Sequence, residues 1–252
     1  MTDLFLRASG FRKAARMQDG GATWRFGICL IFILIFIPIL ASGAAMAQAA
    51  GGGDSSSPPV VTFTLDFPKS DPTHYSIAVD NRGHGTYECT ARVEEGDEQE
   101  YRTEFEVSPG NRERIFEWAK DAKYFSGKVD SNNRKLAFTG EKILSYQDGQ
   151  RSFTARYNFS SVEPVRELTA LFQNMANTLD FGRRLTYYHR YQKLALDEEL
   201  KRMEAQAQNH ELSEIQGVAP ILRKIVEDTS VLNVVRARAQ ALLQMGTSAA
   251  GH

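Results

Sequence analysis

The sequence predicts an α+β protein: an antiparallel sheet of about six or seven strands carrying one packed helix, followed by a C-terminal helical bundle. Three observations predict it. Between residues 60 and 160, apolar residues alternate with polar ones at period 2. Short turns rich in Gly, Asn and Asp join these runs, so consecutive strands pair antiparallel. Beyond Ser160 the apolar spacing lengthens to three and four residues, the period of a helix.

Ahead of the sheet lies an apolar run, Phe26 to Leu40, preceded by Arg7, Arg12, Lys13, Arg16 and Arg25. Its length of about 15 residues suits the apolar stretch of a signal peptide, and Ala45-Met46-Ala47 has the A-x-A form of a cleavage site. Cleavage after Ala47 defines a leader over 1–47, long for its kind, and a start at Met17 would restore an ordinary length. The alternative is a retained inner-membrane anchor, since the uncharged stretch 26–47 suffices to cross about 30 Å of hydrocarbon. Either way the basic flank stays cytoplasmic and the rest of the chain is expected outside it, periplasmic or secreted. Lipid attachment is excluded, because Ala44 follows Leu40-Ala41-Ser42-Gly43 where a lipobox needs cysteine.

Removing residues 1–47 takes five of the 30 basic and two of the 31 acidic residues, leaving a net charge of −4. That mild acidity disfavours a nucleic-acid partner, whose phosphates call for excess cation. Cys29 lies in the leader, so Cys89 is the one cysteine beyond it and cannot form an intrachain disulfide there. In the run Tyr87, Cys89, Ala91, Val93 it sits at apolar parity, which reads as an inert core thiol.

Residues 48–59 form a Gly/Ser/Pro linker. The domain expected over 60–160 opens with Val61, Phe63, Leu65 and Phe67, then Tyr75, Ile77 and Val79. The Cys89 strand follows, and the acidic turn Glu94-Glu95-Gly96-Asp97-Glu98 leads to Tyr101, Thr103, Phe105 and Val107. Ser108-Pro109 starts a helix, with a serine oxygen placed to cap free N–H groups and proline in the first turn. Asp148-Gly149 reads as a two-residue type I′ turn. It would set Leu144 opposite Phe153 in the core and Glu141 opposite Arg156 on the wet face, with Phe159 sharing the parity of Phe153.

The helical region is expected over 161–245. Val165, Leu168, Leu171, Phe172, Met175 and Leu179 make one stripe, with Gly182 as its C-terminal stop. A long second helix carries Leu185, Tyr188, Gln192, Leu196, Leu200, Met203 and Ala207. A third takes in Ile215 and Val218, and a fourth runs from about Leu232 to Leu243, before a loose tail over 246–252.

Val218-Ala219-Pro220-Ile221-Leu222, Asp228, Val235-Arg236 and Ala239 resemble one HEAT-type unit, in which a first-helix proline, a turn aspartate and a second-helix valine-arginine recur in this order. The gap from Asp228 to Val235 is a little long, and a second copy is absent from the sequence. One unit cannot make a solenoid, so the resemblance implies a helical hairpin capping the domain. Tyr75 to Phe159 is similar to small secreted bacterial domains of strand-strand-helix-strand-strand order, a family that implies no activity.

The usual catalytic signatures are missing: G-x-S-x-G, S-x-x-K, C-x-x-C, H-E-x-x-H, the P-loop and G-x-G-x-x-G. An EF-hand counted from Asp130 has Asn132 at position 3 and Glu141 at position 12. It fails at Arg134, where an oxygen ligand is needed, and at Lys135, where glycine makes the turn. His74, Asp80 and His84 are the candidate metal ligands, two imidazoles and a carboxylate around one hairpin. The run Arg183 to Lys193 is basic and aromatic, and Arg183, Arg184, Tyr187, Arg190, Tyr191 and Lys193 are the candidate surface for a protein or envelope partner. The expected function is a non-enzymatic binding module without a cofactor. A cryptic hydrolase or metal-dependent enzyme and a purely structural role are the alternatives.

Overall fold

Val60–Asp66 alternates buried and half-exposed residues and pairs with a strand on each side, at the middle of a six-stranded sheet. The computed structural model describes residues 57–92, 98–133 and 135–249. The strands are β1 (Val60–Asp66), β2 (His74–Asp80), β3 (His84–Arg92), β4 (Glu98–Glu106), β5 (Glu141–Gln147) and β6 (Ser152–Tyr157). Their order is β4-β3-β2-β1-β5-β6, antiparallel throughout. Phe63 stands opposite both Ile77 and Leu144, so the parity read from sequence places all three in one core. Cys89 is buried and free, and burial raises its thiol pKa. The leader, most of the linker and the turn at Glu94–Asp97 fall outside the described residues.

Two helices, not one, cover the inner face. Helix α1 (Pro109–Asp121) begins with proline in its first turn, as its sequence requires. Ser108 does not cap it. The Glu214 carboxylate instead reaches the helix start, accepting from the Ser108 N–H at 3.0 Å, the Ser108 hydroxyl at 2.8 Å and Asn111 Nδ2 at 2.7 Å. An anion there also complements the helix dipole. Helix α2 (Glu163–Tyr191) lays Val165, Leu168, Phe172 and Met175 on the sheet, and the Phe172 ring stacks on Phe63 with centroids 5.6 Å apart.

The β5–β6 hairpin corrects the expected turn. Gln147 pairs with Ser152, leaving the four residues Asp148–Arg151 as the loop, and Leu144 faces Ala155 in place of Phe153. The Asp148 carboxylate closes this loop by accepting from the Gln150 and Arg151 N–H groups at 3.1 and 2.8 Å. The register differs by two residues, so every side chain keeps its face. Glu141 and Arg156 still meet on the wet face at 2.8 Å, now diagonally. Phe153 is half-buried, whereas Phe159 lies beyond the strand end and is exposed.

Gly182 does not end a helix; α2 runs through it. A Cβ there would lie 2.6 Å from Val218 Cγ1, so glycine serves close packing against the turn at Ile215–Val218. The break comes at Gln192 instead, where φ is −143°, and a short turn at Lys193–Ala195 leads into α3 (Leu196–Gln208). The expected single helix is therefore two, folded back so that Leu196, Leu200 and Met203 are buried. Helices α4 (Ala219–Glu227) and α5 (Asn233–Ala249) complete the bundle, and Gly246–Ala249, expected as loose tail, are helical. No helix among the described residues is long and apolar enough to cross a membrane.

Candidate functional site

The proposed metal ligands are not brought together. His74 and Asp80 occupy opposite ends of β2, about 20 Å apart at roughly 3.3 Å per residue. His74 Nδ1 pairs with Asp66 at 2.5 Å, and His84 Nδ1 lies 3.2 Å from Asp80. Asp80 has local work: its Oδ1 accepts from the Arg82 and His84 N–H groups, both at 2.9 Å, and so closes the β2–β3 turn. Partial desolvation opposes its ionisation, but these donors and the His84 ring hold its carboxyl below the ordinary range. Among the described residues, no group of three or more His, Cys, Asp or Glu is placed to hold a metal. At the failed EF-hand, Asp130 accepts from Asn158 N–H at 3.1 Å, anchoring its loop to the end of β6.

The basic run on α2 divides in two. The sequence pattern puts Arg183 and Arg184 on a solvated face; both instead turn inward onto buried carboxylates. Arg183 Nε donates to Asp180 Oδ1 at 2.7 Å, and Arg184 bridges Asp180 Oδ2 and Glu199, the latter at 2.6 Å through Nε. Arg202 also pairs with Glu199. Asp180 and Glu199 are 4% and 1% exposed, so a carboxylate pair does converge here, but guanidinium groups fill its acceptor positions. The network ties α2 to α3, which explains why the chain folds back at Gln192. Single-residue periodicity cannot show this, because the decisive partner of Arg184 lies 15 residues away.

The C-terminal end of α2 is the exposed half. Lys193 donates to Asp228 at 2.6 Å and to Ser230 Oγ at 2.6 Å, while His189 Nε2 lies 3.0 Å from the same carboxylate. Hydrogen bonds from Lys193 and Ser230 hold the Asp228 carboxyl far below its usual range. This clasp fixes the end of α2 to the α4–α5 turn. The same stretch of chain carries exposed side chains: Tyr187, Tyr191 at 61% exposure and Leu194 at 87%. Tyr187 and Tyr191 are in contact, centroids 5.2 Å apart, and Arg190 lies 5.2 Å from the Tyr191 ring. Exposed Leu232 and Val234 follow directly on the clasped turn. Leu194, absent from the expected surface, extends the exposed run beyond Tyr191.

Two further places escaped the motif search. Tyr87 Oη and Gln206 Oε1 are buried polar atoms without a hydrogen-bond partner of good geometry, and the Cys89 thiol beside Tyr87 is a weak one. Both residues line one cavity of about 190 Å³ between the sheet, α2 and α3, with Asn177 at its mouth and Asp180 and Arg184 in its wall. The second is Lys142. It shares the inner parity of Leu144 and Tyr146, a signal legible in the sequence, and it is 6% exposed. Burial lowers its pKa.

No protein-family model matches the chain, and comparison with curated proteins finds no match.

Proposed function

We propose that this chain is an exported, non-catalytic module that engages a protein partner through the aromatic corner at the end of α2. The observation that carries the reading is the division of the α2 run. Its internal cations are consumed by Asp180, Glu199 and Asp228, while Tyr187, Tyr191 and Leu194 stand in solvent on a clasped, rigid support. Clustered exposed apolar residues mark interaction surfaces, and Tyr and Arg are the commonest energetic centres of interfaces. The partner surface that complements this corner is an apolar depression with a carboxylate near Arg190. Export is supported by the apolar run after Arg25 and the A-x-A site at Ala45–Ala47. The enzyme reading loses support because the buried carboxylates Asp180 and Glu199 are ion-paired to arginines.

A photoreactive phenylalanine analogue placed at Tyr191 should form a discrete adduct in an envelope preparation, and one at exposed Lys224 should not. Leu194→Asp should abolish the adduct at 191 while leaving the melting temperature unchanged, with an affinity loss of about 30-fold for a central interface residue. Equal adducts from both positions, or an adduct indifferent to Leu194→Asp, refute the corner as the contact.

A further inference from the structure

Lys142 is a buried ammonium ion without a counter-charge. Its Nζ donates to Thr139 Oγ1 and Asn158 O, each at 3.0 Å, and to the carbonyls of Thr139 and Gly140, each at 3.3 Å. These oxygens satisfy its protons, yet among the described residues no carboxylate forms an ion pair with it. A buried lysine is rare unless paired, and a desolvated charge leaves a field that an anion would neutralise. The residue lines an open cleft of about 400 Å³ between the end of β6 and the first turns of α2, within the usual size range of ligand sites. Arg166 stands at the rim, bonded only to the Ser161 carbonyl at 3.1 Å, and it too lacks a carboxylate partner among the described residues.

The rest of the wall is apolar in character. The Tyr157 hydroxyl is spent on Thr169 at 2.6 Å and the Ser160 hydroxyl on the Val129 carbonyl at 2.7 Å. Tyr157, Ala170 and the exposed Phe159 supply the apolar lining, beside the polar side chains of Asn158 and Gln173. The lining includes no Asp or Glu. A largely apolar trough lined by two cations and no carboxylate suits a molecule with one anionic head and one hydrocarbon tail.

We propose that this cleft binds a single-chain amphiphilic carboxylate, its head group toward Lys142 and Arg166 and its alkyl chain along Tyr157, Phe159 and Ala170. This site lies on the β6 side of α2 and is independent of the aromatic corner.

The test is calorimetric titration of the purified chain with octanoate, decanoate and dodecanoate, each below its micellar concentration, against decanol and inorganic phosphate. Affinity should rise about three- to fourfold per methylene, the increment expected for burying each CH₂. Decanol should bind at least tenfold more weakly than decanoate, and phosphate should give no heat. Ala170→Trp, at an exposed helical position, should fill the trough and abolish decanoate binding with the circular dichroism spectrum unchanged. Arg166→Gln should weaken decanoate several-fold and leave decanol unaffected. Lys142→Met should equalise decanoate and decanol; because it strands three carbonyls, Ala170→Trp decides the matter if that variant does not fold. Decanol binding as well as decanoate, phosphate binding without the chain, or full decanoate binding by Ala170→Trp would each overturn the assignment.

Discussion

Gly182→Ala should destabilise the protein, against the normal preference of a helix for alanine. In an uncrowded helix interior the exchange gains about 1 kcal/mol. Here the new Cβ would stand 2.6 Å from Val218 Cγ1 and 3.3 Å from Val218 Cβ. Carbon atoms prefer about 3.5–4.0 Å, so about 1 Å of overlap must be relieved. Val218 has little room to yield, being 4% exposed between α2 and the start of α4. Overpacking of this kind costs about 1–3 kcal/mol, which offsets the propensity gain and leaves a net loss of up to about 2 kcal/mol. For a domain of this size that lowers the melting temperature by up to about 8 °C. The decisive measurement is a double-mutant cycle read by thermal or urea unfolding. Val218→Ala alone costs about 1–2 kcal/mol by removing two buried methyl groups. It also removes the atoms that the methyl group introduced by Gly182→Ala would strike. The double variant should therefore be no less stable than Val218→Ala, with a coupling of about 2 kcal/mol. Additive losses would show that Gly182 is needed for its backbone, as a helix terminus needs it. A stabilising Gly182→Ala would show that α2 and Val218 do not approach as described.

Three further outcomes are expected. Arg184→Leu leaves Asp180 and Glu199 buried with fewer partners, and breaking such a pair costs about 3–5 kcal/mol in chemical unfolding; a loss below about 1 kcal/mol would mean the network adds nothing. Asp228→Asn should destabilise at neutral pH, because the folded carboxyl is held far below its ordinary 3.8 by Lys193 and Ser230. The folded pKa is the depressed one, so this contribution is complete above pH 3.8 and fades as pH falls toward the folded value; the gap between wild type and variant should narrow only on the acid side. A gap that stays constant below pH 3.8 would assign the effect to packing. Finally, a reporter that matures only in a reducing interior, fused after His252, should stay dark in intact cells, and fluorescence there would contradict export.

Much of the sheet was legible because strand alternation is local: Val61, Phe63 and Leu65 announce a buried face whatever pairs with them. The hairpin shows how far this reaches. The Asp148-Gly149 signal located the turn, but the Asp148 side chain chose a four-residue loop, and the period of two preserved every facing despite the shift. Lys142 was legible in the same way, as a charge at core parity, although only the fold shows that its ammonium group meets carbonyls and no carboxylate.

Composition and local period, then, determined the α+β class, the strand faces and the helix start at Pro109, since each depends on neighbours within one or two turns of chain. The tertiary structure alone decided that α2 passes through Gly182 and stops at Gln192, and that Arg183 and Arg184 turn inward while Tyr191 and Leu194 turn out. Those outcomes rest on Val218, Glu199 and Asp228, which lie 15 to 39 positions along the chain from the α2 residues they meet, Gly182, Arg184 and His189. Glycine reads as a stop or a close contact, and arginine as surface or buried bridge, according to what packs against it.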